Sequence, residues 1–197
     1  RFPAIKREAL NEAGKKIFDA RVDAFGPGSI RLYSQPVADS MTGLNDYLRR
    51  KSGLEPRLVE LAILVTAREM DSEYVWTAHE PPALKAGLQQ AIIDTVEYRR
   101  PVTTLGEKDA VIVQLGRDAI GKHKVGSDTF ARAVKLFGHQ GVVNIVALMG
   151  DYAATTIERV ASGQGPVANR LDLEATVEIV QAGYQSIRTK KPVAIRA

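Results

Sequence analysis

LVELAILVTAREMDSEYVWTAH, residues 58–79, is the stretch on which the fold turns. Leu58, Leu61, Ala62, Val65 and Ala67 supply the apolar content of a helix that starts near Pro56 and runs to Glu69. Asp71 or Ser72 then reads as the N-cap of a second helix, carrying Glu73 to His79. Within it Glu73, Trp76 and His79 recur every third position, so one face carries all three. Glu60 is the carboxylate of an otherwise apolar helix. Two helices joined by a tight turn bring it to His79 across nineteen positions of sequence. A carboxylate beside an imidazole raises its basicity and fixes its tautomer, as a proton shuttle requires. The expectation is a Glu60–His79 pair at the wall of a solvent-reachable hollow.

Outward from this pair the spacing stays helical, with no sustained alternation of the kind a strand needs and no internal repeat. Residues 5–25 place Leu10, Ala13, Ile17 and Phe18 on one side and stop at Gly26-Pro27-Gly28. Residues 36–51 set Val37, Met41, Leu44 and Leu48 on one face, with Pro36 in the first turn and Gly53 as the cap. The Glu80-Pro81-Pro82 step is expected to break or kink the helix after His79, leaving a short helix, 83–86, closed by Gly87. Further helices are expected near 89–98, 107–122, 127–137 and 140–160, with Gly106, Gly126 and Gly138 at the joints. Residues 162–166 read as a flexible connection, followed by a last helix, 172–188, with Leu173, Val177, Val180 and Tyr184 on one face, and a basic tail. The organisation is an N-terminal helical arm over 1–34, a core over 35–160, and a C-terminal linker, helix and tail over 161–197.

Composition narrows the chemistry. Of 197 residues, 45% are hydrophobic and 25% charged, ordinary for a globular chain. The longest apolar stretch, 142–150, is interrupted by Asn144 and too short to span a bilayer, and Arg1-Phe2-Pro3 opens no apolar leader. The expectation is a cytoplasmic protein with no membrane partner. The net charge of +4 is dispersed. Arg49-Arg50-Lys51, Arg99-Arg100 and Lys190-Lys191 read as solvated helix ends, not as a nucleic-acid surface. The cationic excess favours a small anionic substrate. There is no cysteine, which excludes disulfides, thiolate metal sites and thiol redox cycles. His79, His123 and His139 stand too far apart for a paired-histidine metal motif, and no metal or cofactor is expected.

Glu60 through His79-Glu80-Pro81, followed by Ala83-Leu84-Lys85-Ala86-Gly87-Leu88, resembles the carboxymuconolactone decarboxylase family. So does the later run from Phe130 to Gly138 and from Gly141 to Tyr152. The resemblance covers roughly residues 35–160. It implies an all-α fold of the alkylhydroperoxidase-D (AhpD) type, assembled as a homo-oligomer: dimer, trimer or hexamer. The peroxidase branch carries a Glu, a Cys-x-x-Cys pair and a His in series. Those positions fall here on Glu60, Ser72, Val75 and His79, so disulfide cycling is impossible. The decarboxylase branch needs no thiol, and its substrates are small lactones or related carboxylic acids.

On this reading His79 is the general acid/base, Glu60 its orienting or relay partner, and Glu73 a second carboxylate. Trp76, Tyr74 and Ser72 shape the pocket, and Arg57 or Arg68 holds the substrate carboxylate. Plainer readings stand beside these. Glu60 is equally a buried carboxylate paired with an arginine, and His79 a helix-end cation. Glu73 also reads as a first-turn acid, and the two aromatics as core or interface residues. Gly138, Gly141 and Gly150 read as helix contacts or caps. A non-catalytic oligomeric binding or scaffold protein is the alternative, and isomerase or hydrolase chemistry in the same pocket is a third possibility.

Overall fold

The computed structural model describes residues 5–19 and 30–163, and among them every regular element is helical. α1 is Glu12–Asp19, α2 Gln35–Asp46, α3 Pro56–Glu69, α4 Glu73–Lys85, α5 Gln90–Glu97, α6 Glu107–Gly116 and α7 Ser127–Ala161. Two five-residue π-helical turns extend helices: Tyr47–Lys51 continues α2 and Arg117–Gly121 continues α6.

The centre is α3, where every residue from Leu58 to Ala67 is buried. α4, α5, α6 and α7 all pack on it. A helix covered on every side has no use for a polar stripe, which explains the unbroken apolar run. Leu61, Ile63 and Leu64 meet Val75, Ile93, Ile112, Leu115, Ile145 and Leu148 in one cluster. Each such side chain contributes roughly 1.5–3 kcal/mol on burial. Thr66 is tolerated because its hydroxyl donates to the Ala62 carbonyl at 2.8 Å. At Gly116 α6 comes so close that a Cβ there would collide with the Val65 side chain.

α3 and α4 form an antiparallel hairpin, the geometry expected from residues 58–79. Asp71 takes a left-handed conformation with φ 48°, and Arg68 Nη1 donates to its Oδ1 at 2.8 Å. The Ser72 N–H donates to the Ala67 carbonyl at 2.8 Å and closes the turn. Ser72 occupies the N-cap position, but its hydroxyl does not cap.

Two local expectations are corrected. α4 runs through Pro81 and Pro82 to Lys85 without breaking, and no separate helix begins at Ala83. The proline φ is itself helical, and the cost is two lost N–H donors. Their would-be acceptors are the carbonyls of Thr77 and Ala78. Ala78 and Pro81 are exposed, on the side of the helix that water reaches. The inward face of α2 also differs from the one its spacing suggests. Ala38 and Leu48 are buried while Val37 and Leu44 are exposed. The rotation is set by polar contacts, since Asn45 Nδ2 donates to the buried Asp151 Oδ2 at 2.7 Å.

The joint at Gly138 is present. Its φ of 65° and ψ of 173° break α7 into limbs over 127–137 and 139–161. Gly141 is a close contact, because a Cβ there would sit 2.8 Å from Phe137 Cβ. Gly150 is not, since no described residue lies within 4 Å of the equivalent point. Among the described residues α7 is the one helix long and apolar enough, by length and composition alone, to cross a membrane. In this fold one face of it is core, with Ile145, Leu148, Met149 and Tyr152 packed in the central cluster. The N-terminal arm joins the core by a smaller cluster of Leu10, Leu32 and Ala38, with Ile17 and Phe18 against it. The expected chain stop at 26–28, the helix over 172–188 and the basic tail lie outside the described residues.

Candidate functional site

The α3–α4 hairpin places Glu60 against His79. His79 Nδ1 lies 2.8 Å from Glu60 Oε2, and Arg49 Nη2 donates to Glu60 Oε1 at 2.9 Å. Both carboxylate oxygens are therefore held, one by each neighbour. The Glu60 side chain is 8% exposed, that of His79 13% and that of Arg49 29%, so the triplet leads from the core outward. Burial pushes the Glu60 carboxyl upward. The His79 hydrogen bond and the charges of His79 and Arg49 outweigh it, and the net shift is below the ordinary carboxylate value.

Arg49 reaches Glu60 from the π-helical turn Tyr47–Lys51. Such a turn inserts one residue per turn and re-aims the side chains after it, a device common at functional sites. The cluster Arg49-Arg50-Lys51 is thus not uniformly solvated, as its sequence suggests. Arg50 and Lys51 pair with Asp46 near the surface, while Arg49 turns inward.

The fourth member is Tyr152 of α7. Its ring meets the His79 ring edge-to-face, centroids 4.9 Å apart and planes at 87°. Burial raises its phenol above the usual value, against the opposing influence of Arg49 and a side-chain hydrogen bond with Asn45. Asn45 also binds Asp151, whose Oδ1 lies 3.5 Å from Arg31 Nη2. Glu60 and His79 thus adjoin a second buried polar network between α2 and α7.

Chemically, the arrangement fixes one tautomer. With the ionised Glu60 accepting from Nδ1–H, Nε2 is the histidine's basic nitrogen, and no described residue hydrogen-bonds to it. Arg49 holds Glu60 in its charged form, so the mobile proton belongs to the imidazole.

The other residues singled out from the sequence make no hydrogen bond to this pair and have other partners or none among the described residues. Glu73 is exposed at the start of α4, six residues and roughly 9 Å along the helix from His79. Ser72, at the first thiol position of the peroxidase pattern, is buried, and its hydroxyl has no hydrogen-bond partner among the described residues. Trp76 Nε1 donates to Glu80 Oε2 at 3.2 Å on the same helix. The Tyr74 ring lies under the Arg159 guanidinium at 3.6 Å. Arg57 is paired with Asp109 at 2.6 Å and Glu55 at 3.3 Å, and Arg68 binds Asp71 and the Glu97 carbonyl. The cation actually beside Glu60 is Arg49.

Sequence reading missed Arg49, Tyr152 and Asn45. A usable signal existed for the α7 side: Asn144 and Asp151 interrupt an apolar helix as Glu60 interrupts α3. None existed for Arg49, because a π-helical turn has no sequence signature. Among the described residues no three His, Asp or Glu side chains converge as a metal site would require. A cavity of about 310 Å³ opens near the Gly138 break, lined by Ser52, Leu58, Lys108, Phe137, Gln140 and Asn144 among others. Neither Glu60 nor His79 lines it.

No family model matches the chain, and no curated protein does. A solved structure does match. It is a protein of unknown function from Agrobacterium tumefaciens, described as a candidate antioxidant defence protein AhpD. The two share 20% identity at a TM-score of 0.57, over 70% of this chain and 95% of that one. The fold is therefore all-α and AhpD-like, here in a chain without cysteine.

Proposed function

We propose that this protein is a cofactor-independent proton-transfer enzyme, acting as a decarboxylase-like lyase on a small lactone or carboxylic acid. The observation that carries the reading is the Arg49–Glu60–His79 triplet, with Nδ1 anchored and Nε2 unengaged. The residues quoted for the family resemblance and the AhpD-like fold support it. Thiol peroxidation has no chemical basis in a chain without cysteine.

The substrate carboxylate approaches Arg49, whose guanidinium keeps donors beyond the one spent on Glu60. The bond to the carboxylate breaks, its electron pair passes into an adjacent carbonyl, and CO2 departs. His79 first takes a proton from solvent at Nε2 and becomes an imidazolium; the enolate carbon then takes that proton and returns the ring to its neutral form. Glu60 stays ionised, orients the ring and stabilises the imidazolium. Glu73, Ser72, Trp76, Tyr74, Arg57 and Arg68 have the more peripheral part of shaping the approach along α4 and the ends of α3.

The test is a panel of small lactone acids and β-keto acids, followed by CO2 release, product mass and deuterium uptake from D2O. His79→Ala is expected to abolish turnover of any active substrate, and Glu60→Gln to lower kcat by roughly 10²-fold or more. Full activity in both variants would overturn the reading. A change of mass without CO2 would move the chemistry to isomerisation or hydrolysis. A second reading, a non-catalytic binding or scaffold protein, is favoured by one observation: the cavity near Gly138 is not lined by the pair. It predicts no turnover across the panel.

A further inference from the structure

The hollow beside the Gly138 break shares no residue with the Arg49–Glu60–His79 triplet. At about 310 Å³ it stands at the lower end of the roughly 300–1,000 Å³ of small-molecule sites. The α2–α3 connection, the first turns of α3 and α6, and α7 on both sides of its break wall it.

Its polarity is graded with depth. At the exposed end Lys108 Nζ meets Glu55 Oε1 at 2.6 Å, and the two side chains are 45% and 47% exposed. Leu54, Leu136 and Phe137 are half-buried and Leu58 is buried, so the walls are apolar. At the buried end stands Asn144, 6% exposed. Its Nδ2 donates to the Ser52 carbonyl at 3.3 Å, and no described residue hydrogen-bonds its Oδ1. An unspent amide acceptor at the wall of a hollow is matched by a donor on whatever enters it.

The open end selects by charge. Lys108 has three N–H donors and spends one on Glu55. Arg57, 3.3 Å from Glu55, is matched in turn by Asp109 at 2.6 Å, so cations and acids balance here. A bare anion brought to Lys108 faces Glu55, and a bare cation brought to Glu55 faces Lys108. A ligand carrying both signs pairs with both. Length agrees as well. Along the second limb of α7 the lining runs from exposed Gln140 to buried Asn144, four residues and roughly 6 Å of axis. That is the reach of an aromatic ring with one substituent.

We propose that this hollow binds a free amino acid whose aromatic side chain ends in a hydrogen-bond donor. Its carboxylate lies on Lys108, its ammonium on Glu55, its ring between Leu54 and Phe137, and its terminal donor on Asn144 Oδ1. Occupancy requires nothing of the triplet, whose residues lie outside the site.

Titration of the full-length protein with L-tyrosine, followed by ligand-observed NMR or calorimetry, tests this. Tyrosine is expected to bind roughly tenfold or more tightly than L-phenylalanine, which lacks the terminal donor. Tyramine, without the carboxylate, and 4-hydroxyphenylpropionate, without the ammonium, are each expected to bind roughly tenfold or more weakly than tyrosine. Asn144→Leu is expected to bring tyrosine down to the level of phenylalanine and leave phenylalanine unchanged. A general loss of packing would weaken both alike. Lys108→Ala, at an exposed position, is expected to abolish the preference for tyrosine over tyramine. His79→Ala is expected to bind tyrosine as the wild type does, so this site and the chemistry proposed for the triplet can fail separately. Absence of tyrosine binding up to its solubility would overturn the inference, as would equal binding of phenylalanine. Loss of binding in His79→Ala would also overturn it, by moving the ligand to the triplet.

Discussion

α3 and α7 are the two most apolar long helices of the chain, and their surroundings are opposite. α3 is walled in on all sides from Leu58 to Ala67, whereas the second limb of α7 buries one face and leaves the other open. Each carries a buried carboxylate in mid-helix, Glu60 on α3 and Asp151 on α7. Asp151 is met by Asn45 and Arg31, a set that fastens α2 to α7. Glu60 is met by an arginine and by an imidazole with one nitrogen unengaged. The same device, an acid set within an apolar run, serves as a fastening in one place and orients an imidazole in the other. The identity of the partners decides which.

The contrast in burial breaks or holds on paired substitutions. Leu61→Ala in α3 is expected to cost about 2–5 kcal/mol, because the cavity it leaves is enclosed. Ile157→Ala in α7 is expected to stay within about 0.5 kcal/mol for the subunit. Urea unfolding at low protein concentration measures both, and equal losses would erase the distinction.

The contrast in chemistry sharpens on Glu60→Gln, expected to cost about 1–3 kcal/mol at neutral pH, since Arg49 and His79 both lose the buried carboxylate they bind. Its pH dependence has a definite sign. The folded state holds the Glu60 carboxyl below its ordinary value of 4.5, so the stabilisation is present above that value and lost as pH falls through the folded pKa. Tyr152 is raised above 10.0, so its contribution is present below that value and lost as pH rises beyond it. Thermal melts of wild type and Glu60→Gln should therefore converge on the acid side. Parallel curves down to the lowest pH would show that Glu60 is not held as described.

Two glycines carry the same comparison down to a single added methyl group. Gly116→Ala drives a methyl into Val65 and is expected to destabilise by about 1–3 kcal/mol. Gly150→Ala meets nothing within 4 Å among the described residues and is expected to stabilise the folded subunit by up to about 1 kcal/mol through helix propensity. Denaturant midpoints of the two variants should move in opposite directions.

Much of this was legible in the residues themselves. The bounds of α3, the turn at Asp71 and the meeting of Glu60 with His79 follow from local spacing and from one acid in an apolar run. The break at Gly138 follows from a glycine between two periodic segments. What stayed hidden depended on tertiary context. The prolines at 81 and 82 continue α4 because their φ suits a helix and the side that loses donors faces water. The face of α2 is chosen by Asn45 meeting Asp151, more than a hundred residues away in sequence. Arg49 was read with its neighbours as surface charge, because nothing in YLRRK announces a π-helical turn.

That turn has a mechanical consequence. Since each oxygen of Glu60 is already engaged, the carboxylate cannot rotate to favour one neighbour without abandoning the other. The plane of the His79 ring is then inherited from the seating of α3, which the Val65–Gly116 approach helps to define on the far side of the same rod. A methyl group added at that distant crossing is expected to reach the imidazole as a change of aim, although no residue of the triplet is altered.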